Sequence, residues 1–167
     1  MILVTGGGGY LGGRIVDYLK GNGFDVKIAN RCIFESHISL MEACNGVEVV
    51  IHLAAMNSQD SFNSPEKALM VNGLNTLNLL DAAEKSKVLK FIYFSTIHVY
   101  GPKLNGYIDE TALPYPVGSY SITHRLAEDY VLDANFKTSL RRFPGCFFII
   151  CLTCANHLLI IMIYREK

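Results

Sequence analysis

Three side chains could together move a proton. Thr96 follows the run Lys90 to Ser95 (KFIYFS), whose alternating and aromatic character predicts a strand. Its hydroxyl would then lie at a strand's carboxyl end, where open α/β sheets bind ligands. Tyr120 opens YSITHRLAEDYVL, in which Ile122, Leu126, Tyr130 and Val131 predict the apolar side of a helix. His124 comes one turn after Tyr120, so the two share a helix face. A phenol, a hydroxyl and a polar or cationic helper make a proton-transfer site, the helper drawing the phenol pKa down. A tyrosine and a histidine one turn apart are, taken alone, usually surface or core residues. The chemistry depends on what positions them.

The positioning begins at the first residues, MILVTGGGGYLGG. Met1 to Val4 reads as a strand buried on both faces. A glycine turn follows, and from Tyr10 a helical period returns with Leu11, Ile15, Val16 and Leu19. Strand, glycine turn and helix in that order make a dinucleotide-binding unit. Gly6 permits the tight turn, Gly9 lets backbone approach a pyrophosphate, and Gly12 allows close helix–strand packing. The phosphates would sit on the unpaired N–H groups at the helix start around Tyr10 and Leu11. The spacing is Thr5-Gly6-x-x-Gly9-x-x-Gly12, not Gly-x-Gly-x-x-Gly. A nicotinamide held there would add a pyridinium near Tyr120, lowering its pKa further.

Composition narrows the class. With 167 residues the chain supports one domain with its own core. A formal net charge of +0 speaks against nucleic-acid or acidic-membrane partners. A hydrophobic fraction of 50% suits a parallel sheet covered on both faces. Five cysteines are scattered, and Met1 leads into a strand without a secretory signal, which predicts a reducing, cytoplasmic setting.

Taken in order, Gly21-Asn22-Gly23 stops the first helix and Phe24 to Asn30 predicts a second strand. An acidic residue at its end would accept the ribose hydroxyls of NAD; Asn30 and Arg31 stand there instead. Arginine can pair with a 2′-phosphate, so the cofactor reading, NAD or NADP, leans to NADP. Residues 32–46 hold room for little more than one helix, so a strand is missing or material has been lost; Cys32 and Cys44 read as packing residues. Val47 to Leu53 predicts a buried strand running into Ala54-Ala55, small residues that leave room for a cofactor. His52 reads as a core residue with a backbone partner. Asn57 to Ser64 reads as a polar loop, and a long helix from Pro65 to about Lys87 follows. Asn72, polar within that apolar pattern, is either locally bonded or orders the site's backbone.

TGGGGYLG, VVIHLAA, VNGLNTLNLLDAA, FSTIHVYG and Tyr120-x-x-x-His124 resemble, in order and spacing, the extended short-chain dehydrogenase/reductases of the NAD-dependent epimerase/dehydratase family. The likeness covers residues 1–143. It implies an α/β, Rossmann-like doubly wound parallel sheet in three αβα layers. It also implies redox chemistry on a nucleotide-linked sugar. Thr96 would hold the substrate oxygen, Tyr120 would move the proton, and His124 would bond the nicotinamide ribose. Gly6, Gly9, Tyr10, Leu11, Gly12, Asn30, Arg31, Leu53, Ala54, Ala55 and Asn72 would serve the cofactor. Family members often dimerise through a four-helix contact built on the helices after Asn72 and Ser119.

This chain departs from the pattern in four places. The family's lysine is His124, a change shared with relatives in bacterial surface-polysaccharide clusters. Ile97 and His98 replace the acidic residues a dehydratase carries after the threonine, which argues against dehydration. No strand-end aspartate for adenine is present; Ile33 or Glu35 falls nearby. Pro144 stands where the family's Arg-x-x-Asn pattern, begun at Arg141, would place an asparagine, and the C-terminal substrate subdomain is missing. Residues 144–167 form an apolar tail. Cys146 to Tyr164 is long enough to cross a bilayer, but Asn156 and His157 at its centre make a membrane role unfavourable. A truncated or frame-shifted product is the blandest account, which leaves two expectations: an epimerase or reductase, or an inactive nucleotide-binding remnant.

Overall fold

The computed structural model describes residues 1–102, 108, 112–134 and the backbone of 138–143. The predicted tail, 144–167, lies outside the described residues. Five strands, β1 (Ile2–Thr5), β2 (Val26–Ala29), β3 (Val49–His52), β4 (Lys90–Thr96) and β5 (Thr138–Phe143), form one sheet in the order β2-β1-β3-β4-β5. All pairings are parallel. Six-stranded dinucleotide folds run 3-2-1-4-5-6. This sheet is that order without its outermost strand, which accounts for the shortness of residues 32–46. Only a 3-10 turn (Arg31–Glu35) and one helix, α2 (His37–Cys44), separate β2 from β3.

Register explains why the strands are nearly continuous apolar runs. Leu3 pairs with Val50 and Val50 with Phe91; Val4 pairs with Ile51 and Ile51 with Ile92. Alternate residues therefore point to opposite faces, and both faces are covered. One face buries Leu3, Val50, Phe91 and Tyr93 against Leu40 of α2, Leu79 of α5 (Asn75–Lys85) and Ala127 of α6 (Ser119–Asp133). The other buries Val4, Ile51, Ile92 and Phe94 against Ile15, Val16 and Leu19 of α1 (Tyr10–Gly21). The result is the expected three-layer, doubly wound α/β fold.

Two segments differ from expectation. The predicted polar loop after Asn57 is a helix, α3 (Ser58–Asn63), because the Asn57 side chain accepts the Asp60 N–H and caps it. The long helix from Pro65 is α4 (Pro65–Ala68) and α5 joined by a π-helical stretch, Leu69–Leu74, whose buried residues are Asn72 and Gly73. A wide turn of this kind is frequent at functional sites. Cys32, expected to pack, is exposed because it sits on the 3-10 turn; Cys44 is buried.

The glycine turn is shaped by contact. A Cβ on Gly12 would fall 2.1 Å from the Gly6 carbonyl oxygen, whereas one on Gly8 would meet nothing within 4 Å. Gly12→Ala should therefore lose about 1–3 kcal/mol in chemical denaturation through overpacking. Gly8→Ala should unfold at the wild-type denaturant midpoint.

Candidate active site

β1, β3 and β4 end side by side at one carboxyl edge. The chain's direction across the sheet reverses between β1 and β3, so the crevice for a ligand opens there. Gly6, at φ +72°, turns the chain over this crevice; a Cβ on it would fall 2.7 Å from the Ala54 nitrogen. The glycine turn thus lies against Leu53 and Ala54, with Ala55 exposed beyond them. Gly9 is the N-cap of α1 and no side chain bonds the first amides of the helix. Tyr10 and Leu11 open that helix, and the Arg14 guanidinium lies 4.5 Å from the centre of the exposed Tyr10 ring. A turn closed to any Cβ at Gly6 and Gly12, ending on N–H groups that no side chain caps, fits a dinucleotide's pyrophosphate.

Asn30 and Arg31 follow β2 at the crevice's outer side. The Asn30 side-chain oxygen is already engaged, accepting the Cys32 N–H at 3.0 Å to cap the 3-10 turn. Arg31 is exposed.

Thr96 ends β4. Its hydroxyl accepts the His98 N–H at 3.3 Å, capping the 3-10 turn Ile97–Tyr100, and lies 3.4 Å from His98 Nδ1. A side-chain hydrogen bond joins Thr96 to Tyr120. His124 and His98 both meet the Tyr120 ring edge-on, with centroids 4.6 and 5.8 Å away. Thr96, Tyr120 and His124 are therefore in mutual reach. His124 Nδ1 lies 2.8 Å from the Tyr93 hydroxyl. Its Nε2 is buried and has no hydrogen-bond partner among the described residues. An orphaned ring nitrogen beside the phenol is the atom a bound ribose could satisfy.

The electrostatics correct one expectation. Burial pushes His124 down to about 4, against the pull of the Glu128 carboxylate and with further lowering from His98. The helper is thus neutral at pH 7. Burial raises the Tyr120 pKa, only partly offset by the Thr96 hydrogen bond. In the resting site the phenol is not activated, because the imidazole that stands beside it carries no charge.

Of the apolar side expected of α6, Val131 is buried, Leu126 and Tyr130 are half-buried, and Ile122 is not turned inward. Ile122 is 51% exposed, whereas Ser121, Thr123, His124 and Glu128 are buried with Ala127 and Val131. Each of these polar groups has a local reason. Ser121 donates to the Val117 carbonyl just before the helix at 2.6 Å, Thr123 donates to the Ser119 carbonyl at 2.7 Å, and Arg125 pairs with Glu128 at 3.1 Å. Thr123 also accepts from Asn72 Nδ2 at 3.0 Å, while Asn72 Oδ1 accepts the Met56 N–H at 2.7 Å. One end of the Asn72 amide thereby orders the Met56 backbone, and the other ties it to a side chain of α6. His52 is a core residue, but its partners are the hydroxyls of Thr5 and Thr76, not backbone. Sequence reasoning passed over Tyr93, His98, Thr5, Thr76 and Thr123 as site residues. The one available signal was the Thr96-x-His98 spacing.

The NAD dependent epimerase/dehydratase family model matches residues 2–158, and the chain belongs to that family. Human dTDP-D-glucose 4,6-dehydratase is 30% identical over 158 residues, 78% of this chain and 44% of its own. The UDP-glucose 4-epimerase of Thermotoga maritima, solved with UDP-glucose, is 29% identical with a TM-score of 0.74, covering 84% of this chain and 54% of its own. RMD from Pseudomonas aeruginosa, solved with NADPH, is 25% identical with a TM-score of 0.73, covering 84% of this chain and 52% of its own. The chain spans about half the length of the curated relatives it matches. Among the described residues no helix is long and apolar enough to cross a membrane.

Two buried neutral histidines set the acid limb of stability. His52 is pushed down to about 3 and His124 to about 4, both from 6.5 and both mainly by burial. The unfolded chain therefore binds protons that the folded one refuses. Their contribution is whole above pH 6.5 and shrinks as pH falls from there toward 4 and 3. Thermal melts between pH 7.5 and 5 should show a falling midpoint, and His124→Gln should flatten that slope.

Proposed function

We propose that this chain carries the nucleotide-binding and proton-transfer half of an NAD(P)-dependent epimerase or reductase of a nucleotide-linked sugar. The observation that carries this reading is the meeting of Thr96, Tyr120 and His124 at the edge that also bears the glycine cradle. A nicotinamide cofactor bound there would supply the hydride donor or acceptor. The α1 N-terminus would hold its pyrophosphate, Leu53 to Ala55 would line one side, and Arg31 would favour a 2′-phosphate and so NADP. His124 Nε2 would bond ribose. The Thr96 hydroxyl would turn its single hydrogen from the phenol to the sugar oxygen and hold it beside Tyr120. Tyr120 would then exchange a proton with that oxygen.

The neutral imidazole gives this site a direction. Tyr120 rests as a phenol with its proton in place, ready to give it to a carbonyl oxygen as hydride arrives at the carbon. Reduction of a keto-sugar, as a full reaction or as the second half of an epimerisation, is the step the resting site is set for. Dehydration fits less well, since Ile97 and His98 follow Thr96 in place of carboxylates.

Titration with NADPH and NADH, followed by nicotinamide fluorescence, tests the binding half. Saturable binding is expected, lost in Gly9→Asp, and Arg31→Ala should weaken NADPH more than NADH. A Cβ at Gly9 would lie 3.3 Å from the Gly6 carbonyl oxygen, a tight contact, so an unchanged melting midpoint of Gly9→Asp is the control that assigns its loss of binding to charge against phosphate. With a keto-sugar nucleotide, Tyr120→Phe should cut turnover about a hundredfold or more and leave binding intact. Binding without turnover by the unmodified chain would instead describe a nucleotide-binding module that converts nothing.

A second copy is the proposed partner of one surface. Leu69, Met70 and Leu74 on the π-helical stretch and Ile122 on α6 are exposed, and these two elements pack together through Gly73 and Leu126. Burying them in a homodimer would remove apolar area from water. Light scattering should give a dimeric mass that Ile122→Glu converts to a monomeric one. A monomeric mass for the unmodified chain would refute the dimer.

A further inference from the structure

A ring of polar groups runs beneath the backbone assigned above to the cofactor. The Ala54 N–H donates to Thr5 Oγ1 at 3.3 Å, and that oxygen lies 2.6 Å from His52 Nδ1. His52 Nε2 lies 3.0 Å from Thr76 Oγ1, which is 2.6 Å from the Asn72 carbonyl oxygen. Asn72 then returns to the starting segment, its Oδ1 accepting the Met56 N–H at 2.7 Å.

Counting hydrogens fixes the direction of every bond. A carbonyl only accepts, so Thr76 must donate its single hydroxyl hydrogen to Asn72. Its oxygen is then the acceptor toward His52, and Nε2 carries the ring hydrogen. A neutral imidazole protonated at Nε2 has a bare Nδ1, which takes the Thr5 hydroxyl hydrogen. The Thr5 oxygen is left to accept the Ala54 N–H. No donor faces a donor anywhere in the chain of bonds. The ring cannot turn over, because His52 is fully buried and its centroid lies 5.7 Å from that of Tyr93, the two planes nearly stacked. Burial pushes its pKa down to about 3, in keeping with the neutral state the count requires.

We propose that His52, together with Thr5 and Thr76, is a positioning residue for cofactor binding: its Nε2–H tautomer locks the Ala54–Met56 backbone in place. The lock ties that segment to the end of β1 under the glycine turn. Through Asn72 and Thr123 it also ties it to α6, which bears Tyr120 and His124. The proposal rests on the nucleotide reading of Leu53 to Ala55 given above.

The experiment uses the whole chain in three measurements. Nitrogen-15 spectra of the imidazoles should show His52 protonated at Nε2 and bare at Nδ1. Thr76→Val, which keeps shape but removes the hydroxyl, should speed amide exchange at Ala54 and Met56. It should also weaken NADPH or NADH binding about tenfold, the loss of roughly one hydrogen bond's net contribution. Thr76→Ser should restore both. A merely structural hydroxyl would lower the melting point without singling out those two amides. An Nδ1–H tautomer, or wild-type exchange at Ala54 and Met56 in Thr76→Val, would overturn the lock. If Thr76→Val does not fold, the tautomer measured on the unmodified chain decides. A chain that binds neither dinucleotide overturns the nucleotide reading, and with it the cofactor role. The tautomer and the exchange rates still report the ring separately.

Discussion

Backbone touches backbone where the glycine turn meets the end of β3. Gly6 lies so near Leu53 and Ala54, and Gly12 so near Gly6, that no side chain fits at either place. These two approaches set the distance between β1, α1 and β3, and every group at the carboxyl edge inherits its position from them. The first helix also starts with no side-chain cap, because glycine stands at its N-cap, Gly9. The edge is thus left with oriented dipoles and little bulk, a state that favours a long, flat anionic ligand over a compact one.

The second half of the site obeys a different constraint. α6 packs its polar side inward, which costs free energy unless each group finds a partner. Ser121 and Thr123 find backbone carbonyls, His124 finds Tyr93 and Glu128 finds Arg125. Apolar Ile122 and Leu132 are left outside. A helix so arranged is held by directional bonds more than by area. Its rotation about its own axis is therefore fixed closely, and the Tyr120 and His124 rings keep their edge-on geometry.

Much of this was legible in the amino-acid order. Runs such as VEVVIHL and KFIYFS are apolar over their length because parallel strands are covered on both faces, and the shortage of residues after Arg31 foretold the missing strand. Thr96, Tyr120 and His124 were legible by spacing. Val131 on the inward face of α6 was legible too, but the burial of Ser121, Thr123 and Glu128 and the exposure of Ile122 were not, since periodicity assigns apolar residues to the core and here tertiary bonds overrode it. α3 was missed because five polar residues and one phenylalanine carry no apolar period, whereas the Asn57 side chain caps a helix there. That His124 is mostly uncharged at neutral pH follows from imidazole's ordinary pKa, but the further fall to about 4 was beyond reach, because burial, which causes it, is a property of the folded state.

Losing its outermost strand has a consequence for the sheet itself. With no strand beyond β2 among the described residues, the ribose-side strand becomes a rim. Rims are commonly guarded by lysines turned outward. Here Lys27 bends back to the carbonyls of Glu42 and Ala43 at the end of α2, and Phe24 and Ile28 remain in water. The strand that would meet the adenosine end of a dinucleotide is thus an edge among the described residues, and its shortness, four residues, is what limits β-pairing there. A nucleotide resting over Ile28 would shield part of the same surface, so occupancy and resistance to self-association would rise together.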